Sequence, residues 1–260
     1  MKTSVIVTSY NDPRIETTLL SLSKQTISPD EILVADGGTS WDIQSLCDKY
    51  GAKLEIIKGN VPETRSKVIF KAMGDIIVFI DTDESAPDDW LAAITNPIRK
   101  GEADFTGGPT KHSRAKTQAE LYINLLEDHL YENLVNQDIR YLPMGNSAWK
   151  KEIFEKIGTF NTDISAAEDY DINMRAVNAG FAGKYVTNAW VYHDHSEINT
   201  FNKLIRKRYR YLRATAQVYL MQAMLKSRLS IKRRIFVRHP FYIVETALKP
   251  LAMLDALIRG

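Results

Sequence analysis

The sequence has few of the residues that crosslink a chain or anchor it in a membrane. Its 260 residues include one cysteine, Cys47, so no intrachain disulfide can form, and a lone thiol is typical of a reducing compartment. Cys47 lies in a helical pattern with no histidine nearby, which favours packing over nucleophilic chemistry. No run reaches the ~20 apolar residues that span a bilayer. The apolar run at residues 4–7 is too short for a signal peptide, so we expect a cytoplasmic protein.

Glycine-rich phosphate loops are also missing. The sequence has no Gly-x-x-x-x-Gly-Lys-Ser/Thr loop and no Gly-x-Gly-x-x-Gly fingerprint after a predicted strand, which excludes those two kinds of phosphate site. A chain that binds phosphate groups without a glycine cradle must neutralise them by other means. A metal ion does so and also stabilises charge on a departing diphosphate.

Charge is unevenly distributed, although the formal net charge is only +2. Residues 196–260 carry 14 Lys/Arg and 3 Asp/Glu, whereas residues 1–195 carry 20 and 29. An acidic body with a basic tail indicates that the tail meets an anionic partner. Arg206, Lys207 and Arg208, and further along Lys232 to Arg234, lie among apolar residues at helical spacing. This pattern favours the surface of an anionic membrane over nucleic acid, for which no recognition motif is present.

Short β-branched runs alternate with helical patterns over the first part of the chain. Strands are predicted at residues 4–8, 31–35, 53–57 and 76–80, with helices between them that include residues 13–25 and about 61–73. The alternation indicates an α/β fold with a mainly parallel sheet flanked by helices. Ligands of such sheets bind beyond the carboxyl ends of the strands. Polar clusters follow three of those ends, at residues 8–11, 36–39 and 81–83, and we expect them to converge.

The residue types in these clusters suit a metal and a nucleotide. Asp81 and Asp83 flank one residue at a strand end and offer the oxygen ligands that Mg²⁺ or Mn²⁺ prefers. Asp36 can accept a hydrogen bond from the imino group of uracil, thymine or guanine, and Tyr10 offers a ring for stacking. The alternatives are solvated loop carboxylates, a turn-forming aspartate and a core tyrosine.

A second acidic cluster opens a predicted helix at residues 168–171. Neighbouring helical residues diverge by about 100°, so at most one or two of these carboxylates face a cleft. One of them is the obvious general base for a hydroxyl acceptor, although acidic residues at a helix start also serve as dipole partners. His193 and His195 alternate along a predicted strand end, so only one is expected to face the site, as a third metal ligand or a structural histidine.

Four ordered motifs resemble those of glycosyltransferase family 2. They are SVIVTSYN (4–11), ILVADGGT (32–39), GDIIVFIDTD (74–83) and EDYD (168–171), and the resemblance covers residues 3–195. It implies a GT-A fold, that is, a Rossmann-like nucleotide-diphospho-sugar transferase. The implied reaction is inverting transfer of a sugar from a nucleoside-diphosphate sugar, with UDP favoured over GDP or dTDP, to a hydroxyl acceptor. The implied cofactor is Mn²⁺ or Mg²⁺.

Together with the strand-end clusters, the resemblance assigns roles by position. The nucleotide-binding residues are Thr8, Tyr10, Asn11, Asp36, Arg65 and Asp81. The metal ligands are Asp83, Asp81 and His193, and the catalytic carboxylates are Asp169 as the base with Glu168 supporting it. The chain departs from the family at Ser66, where asparagine is frequent, and at Val68, where glycine is frequent. It also lacks the Gln-x-x-Arg-Trp signature of processive relatives, which argues for single transfers.

These patterns predict a catalytic GT-A domain at residues 1–195, with a nucleotide-binding half (1–110) and an acceptor-binding half (111–195). Residues 196–260 are predicted to form a basic amphipathic helical extension. The extension either lies on the inner face of the membrane, near a lipid-linked or membrane-proximal glycan acceptor, or packs on the protein or on a second copy. The rival functions are a nucleotidyltransferase that makes a sugar nucleotide and a membrane-docking nucleotide-binding module without catalysis.

Overall fold

The structure is a computed structural model that describes residues 1–134, 141–164, 166–224 and 239–259. The basic cluster Lys232 to Arg234 lies outside the described residues. The strands are β1 (Thr3–Ser9), β2 (Glu31–Asp36), β3 (Lys53–Ile56), β4 (Ile76–Asp81), β5 (Glu84–Ser85), β6 (Phe105–Gly107), β7 (Thr110–His112), β8 (Ser147–Lys150), β9 (Gly183–Tyr185) and β10 (Val191–His193). The helices are α1 (Ile15–Leu22), α2 (Ile43–Lys49), α3 (Val61–Ile69), α4 (Trp90–Arg99), α5 (Gln118–Leu134), α6 (Lys151–Ile157), α7 (Glu168–Asn178), α8 (Phe201–Met224) and α9 (Phe241–Arg259).

The main sheet is mostly parallel, as the sequence predicts. Within the described ranges it has seven strands in the order β3-β2-β1-β4-β8-β6-β9. Every neighbouring pair is parallel except the two pairs that β8 makes with β4 and β6. The predicted α/β fold is therefore confirmed.

Helices cover both faces of this sheet because its central strands are apolar on both sides. Val5 and Val7 of β1 pack with residues of α1, α2 and α4. Ile6, which points to the opposite face, packs with residues of α3, α6 and α7. The buried run Ile76 to Ile80 of β4 alternates between the same two cores, which explains its continuous hydrophobicity.

A second sheet, three-stranded in the described part of the chain, has the order β5-β10-β7. Its register pairs His193 of β10 with Glu84 of β5 on one side and with His112 of β7 on the other. Helix α5 packs against β7. The short sheet therefore aligns two histidines and a glutamate beside the end of β4, where Asp81 to Asp83 emerge.

The C-terminal helices α8 and α9 pack against each other and against α5. Leu204 and Phe241 share a buried cluster with Tyr122 of α5. The Tyr122 hydroxyl donates a hydrogen bond to Glu245, 2.7 Å away, and Arg208 forms an ion pair with the same carboxylate at 2.8 Å. The described part of the basic extension thus packs on the protein. Among the described helices, none combines the length and hydropathy that a membrane crossing requires.

Two predicted helices are shorter in the structure. The helix predicted at 13–25 runs only from Ile15 to Leu22, because turns precede and follow it. The helix predicted to reach Met73 ends at Ile69 and is followed by a turn. Cys47 is fully buried in the core, and burial raises the pKa of its thiol to about 11, as expected for a packing residue. The domain boundaries at 110 and 195 stay predictions.

Candidate active site

One cavity of about 790 Å³ lies at the carboxyl ends of the central strands. It brings together eight of the ten residues that the sequence singles out. They are Thr8, Tyr10, Arg65, Asp81, Asp83, Glu168, Asp169 and His193. The parallel register explains part of this convergence, because Thr8 of β1 lies directly beside Asp81 of β4. The convergence that the strand order predicts is therefore present in the structure.

The other two sequence-predicted residues, Asn11 and Asp36, lie outside the lining of this cavity. The buried carboxylate of Asp36 accepts hydrogen bonds from the backbone N–H groups of Gly38 and Thr39, at 2.8 and 2.7 Å, and from the Thr39 hydroxyl. Asn11 accepts hydrogen bonds from Ser40 and has a left-handed backbone with φ of 50°. Both side chains thus shape the loop next to the exposed ring of Tyr10, and their nucleotide-binding roles stay predictions.

The Asp81 carboxylate sits at the end of β4 against a glycine. A methyl group on Gly145 would lie 2.7 Å from Asp81 Oδ2, so only glycine leaves the carboxylate room there. The backbone N–H of Asp81 donates to the buried side chain of Glu84 at 3.0 Å. Burial raises the pKa of Glu84 to about 8, and the nearby Asp81 and Asp83 add to the rise. Neither Gly145 nor Glu84 stands out in the sequence as a site residue.

Asp83 and His193 face each other across the cavity wall. Oδ2 of Asp83 lies 3.3 Å from Nε2 of His193 and 3.7 Å from the guanidinium of Arg14. Burial alone would raise the pKa of Asp83, but the charges of His193, Lys207 and Arg14 outweigh it and hold this pKa well below its ordinary value. Burial would likewise lower the pKa of His193, but Glu127 and Asp83 raise it well above its ordinary value.

This pair fits a divalent cation. Neighbouring ligands around an ion with bonds of about 2.1 Å are roughly 3 Å apart, close to the Asp83–His193 separation. Asp81 lines the same cavity, and the space that Gly145 leaves open lies beside its Oδ2. Only His193 of the two alternating histidines lines the cavity, whereas His195 is buried behind it.

Glu127 of α5 orients His193 from behind. Its Oε2 lies 3.2 Å from Nδ1 of His193 and accepts a hydrogen bond from the Thr110 hydroxyl at 2.9 Å. A carboxylate behind a metal-binding histidine fixes the tautomer that turns the other nitrogen toward the ion. Sequence reasoning missed Glu127, because it lies in the middle of a long helix with no motif around it.

Arg65 links the two acidic clusters. Its guanidinium, with only 5% of the side chain exposed, lies 2.5 Å from Asp81 Oδ1 and 2.8 Å from Glu168 Oε1. Asp81 belongs to the end of β4 and Glu168 to the first turn of α7. The buried guanidinium of Arg65 therefore holds these two elements together. Helix α3 brings Arg65 there, and an Asn60–Glu63 capping box fixes the start of that helix.

Asp169 follows Glu168 in the chain and makes its own hydrogen bonds. Oδ2 accepts a hydrogen bond from the Tyr141 hydroxyl at 2.7 Å, and Oδ1 accepts one from the Tyr170 N–H at 2.7 Å. Burial and the neighbouring Glu168 raise the pKa of Asp169 to about 6. A carboxylate with this pKa is ionised at neutral pH yet remains a competent proton acceptor. Asp171 instead pairs with Arg175 at 2.8 Å and does not line the cavity.

Helices α8 and α9 complete the cavity. The lining residues from the extension include Lys207, Arg208, Tyr211, Tyr219 and Lys249. Two basic side chains of the stretch that suggested a membrane surface, Lys207 and Arg208, therefore lie at the cavity. From sequence, their charge and spacing could not distinguish this position from a membrane-facing one.

Residues 4–158 match the family described as Glycosyl transferase family 2, which is more than half of the chain. The chain belongs to glycosyltransferase family 2. Glycosyltransferase AglE from Haloferax volcanii is 24% identical over 95% of this chain and 82% of its own length. The chain spans 55% and 59% of the length of two further curated relatives.

Solved structures show the same GT-A fold. Mannosyltransferase PcManGT from Pyrobaculum calidifontis, in complex with GDP-Man and Mn²⁺, has a TM-score of 0.65 at 18% identity, covering 99% of this chain and 73% of that one. S. aureus TarS in complex with UDP-GlcNAc has a TM-score of 0.61 at 17% identity, covering 98% and 72%. The resemblance to glycosyltransferase family 2 and the fold that it implies are confirmed.

Proposed function

We propose that this family 2 glycosyltransferase moves a sugar from a UDP-sugar to a hydroxyl acceptor by a single, inverting displacement that requires a divalent cation. The observation that carries the proposal is the placement of Asp83 and His193 in the same cavity as Asp169, with Arg65 bonded to both acidic clusters. Asp83 and His193 supply ligands for a metal, and Asp169 supplies a base. This is the pair of functions that such a transfer needs.

In this proposal Asp83, Asp81 and His193 hold Mn²⁺ or Mg²⁺, and Glu127 keeps His193 in position. When bound, the cation supplies positive charge for the departing diphosphate. Tyr10, 67% exposed at the cavity rim, is free to stack on the base, and Thr8, Asn11, Asp36 and Arg65 complete the nucleotide side. TarS and PcManGT were solved with UDP-GlcNAc and GDP-Man, respectively, which supports a nucleoside-diphosphate sugar as the donor class.

Asp169 is the proposed base. It takes the proton of the acceptor hydroxyl as that oxygen attacks the anomeric carbon from the face opposite the diphosphate. The hydrogen bonds from Tyr141 and the Tyr170 N–H hold its carboxylate in one orientation, and Glu168 supports it. Arg65 neutralises Glu168, so the base can ionise beside another carboxylate.

The direct test is calorimetric titration of the chain with UDP, GDP and dTDP, with and without Mn²⁺. We expect Mn²⁺-dependent binding of one diphosphate, strongest for UDP, and its loss in Asp83→Asn. Asp75→Asn, which changes an aspartate at the opposite end of β4, is the matched control and should bind like the wild type. Absence of diphosphate binding by the folded chain would overturn the proposal, and consumption of UTP with a sugar phosphate would favour nucleotidyl transfer.

The acceptor side of the proposal concerns a membrane surface. Helix α9 exposes an apolar stripe, defined as Ile243, Leu251, Leu254, Leu257 and Ile258, each more than half exposed. Their spacing places them on one helix face, and the charged residues of α9 within the described range lie on other faces. Lys203, Arg206 and Arg210 of the neighbouring α8 are exposed as well. An apolar face with nearby cations suits the inner, anionic face of a membrane and a lipid-linked acceptor.

We expect the full chain to float with vesicles that contain anionic phospholipid. With neutral vesicles it should remain at the bottom of the gradient. The double change Leu251→Asp and Leu254→Asp should lower the vesicle-bound fraction at least about tenfold, since each buried leucine contributes roughly 1.5–3 kcal/mol. Phe70→Asp, on an exposed aromatic residue that follows α3, is the control. Equal flotation of the double variant would contradict the prediction. A change in sedimentation mass without vesicles would identify the stripe as a homodimer interface.

A further inference from the structure

A cluster of metal-ligand type lies beside the cavity and shares Glu127 with the cavity lining. It consists of His112 at the end of β7, Glu127 of α5, and His195, which follows β10. Neither His112 nor His195 lines the main cavity. The proposed catalytic function therefore leaves these two histidines without a role.

The geometry of this cluster suits one small cation. One nitrogen from each histidine and one oxygen of Glu127 all lie within 4.8 Å of one another. Nε2 of His195 is 3.0 Å from Glu127 Oε1, and Nε2 of His112 is 3.8 Å from Oε2. Ligand atoms around a tetrahedral zinc ion are roughly 3.3 Å apart, given bonds of about 2.0–2.1 Å, so small side-chain rotations close the site.

The ring nitrogens of the two histidines also lack well-formed hydrogen bonds within the described part of the chain. The side chains of His112 and His195 are only 6% and 2% exposed. Their Nε2 atoms face carboxylates, at 3.0 Å from Glu127 for His195 and at 3.5 Å from Asp128 for His112, but none of the four ring nitrogens makes a hydrogen bond of good geometry among the described residues. Leaving a buried polar group unsatisfied destabilises a fold. Two adjacent buried rings in this condition are unusual, and a shared ion would satisfy one nitrogen of each.

We propose that His112, Glu127 and His195 bind a Zn²⁺ ion, with a fourth position open to water, at a site separate from that of Asp83. Two imidazoles and one carboxylate are a donor set typical of zinc, whereas Mg²⁺ prefers oxygen ligands. The ion would join α5 to β7 and β10. The ion would also hold Glu127 in place, and the Oε2 atom of Glu127 contacts His193. Only the effect of the ion on the donor site, through Glu127 and His193, rests on the proposed function.

The test uses the untagged full chain and separates the two sites. A background variant, Asp83→Asn with His193→Gln, removes two of the three proposed donor-site ligands and leaves only Asp81. In this background we expect about one Zn²⁺ or Co²⁺ per chain after dialysis, with the strong visible absorption of four-coordinate Co²⁺ and a Zn²⁺-dependent rise in Tm. Adding His112→Gln or His195→Gln should abolish all three signals. Adding His239→Gln, on a partly exposed histidine away from the cluster, should abolish none.

X-ray absorption of the zinc-loaded background variant provides a second measurement that needs no further substitution. We expect imidazole scattering from two histidines. A folded background variant that retains no Zn²⁺ or Co²⁺, or a zinc shell without imidazoles, would overturn the proposal, as would metal retention after His112→Gln or His195→Gln. Since no nucleotide is present, failure here leaves the glycosyl transfer proposal intact, and failure of the diphosphate titration leaves this one intact.

Discussion

Asp169→Asn is expected to lower kcat by about 10²–10⁴-fold, the range that general base catalysis contributes. Asparagine has nearly the same shape and can still accept the hydrogen bond from Tyr141, but it cannot take a proton from the acceptor. Diphosphate binding should change little, because the metal ligands are intact. Steady-state kinetics with the sugar donor identified by screening, together with calorimetry of the diphosphate, would separate the two effects.

The pH dependence of the wild type should follow the same carboxylate. Its pKa is raised to about 6, and the ionised form is the one that accepts a proton. Activity should therefore be present above this pH and fall as the pH drops through it, and Asp169→Asn should abolish this limb of the profile. Asp171→Asn, on the same turn of α7 but paired with Arg175, is the matched control. Wild-type kcat in Asp169→Asn would exclude the assigned base.

Arg65→Met is expected to lower the free energy of unfolding by about 3 kcal/mol and to abolish transfer. Removing one partner of a buried ion pair leaves an uncompensated charge, which typically costs about 3–5 kcal/mol of stability. Because Asp81 is partly exposed, we expect a loss at the lower end of this range. Asp81 and Glu168 would then repel each other across the cavity. Urea denaturation measures the first effect and the sugar-transfer assay measures the second.

Arg65→Lys should recover only part of the stability, because one ammonium group cannot span two carboxylates that the guanidinium fork contacts together. Lys184→Met removes the cation of the exposed pair with Glu102 and should leave stability nearly unchanged. If Arg65→Met unfolded at the wild-type urea concentration, the link between the two acidic clusters would be energetically unimportant.

Strand periodicity was enough to predict the parallel strands β1 to β4. The apolar runs around Val5 and Val78 pack on both faces of a parallel sheet, and the polar residues after them meet at its edge because side-chain alternation and the βαβ connection leave few other arrangements. The acidic turn at Glu168 and Asp169 could be recognised from its motif. The raised pKa of Asp169 and the ion pair between Glu168 and Arg65 could not be predicted from the sequence, since they depend on burial by residues distant in the chain.

The sequence by itself determined the fold class and the family, and it predicted which carboxylates bind a metal and which one acts as a base. These depend on local periodicity and on short motifs whose residues are neighbours in the chain. Only the tertiary structure decided that Glu127 backs His193, that His112 joins His195, and that Lys207 lies at the cavity rather than on an outer surface. Each of these contacts joins elements far apart in the chain, and neither helical nor strand periodicity carries information about such pairings.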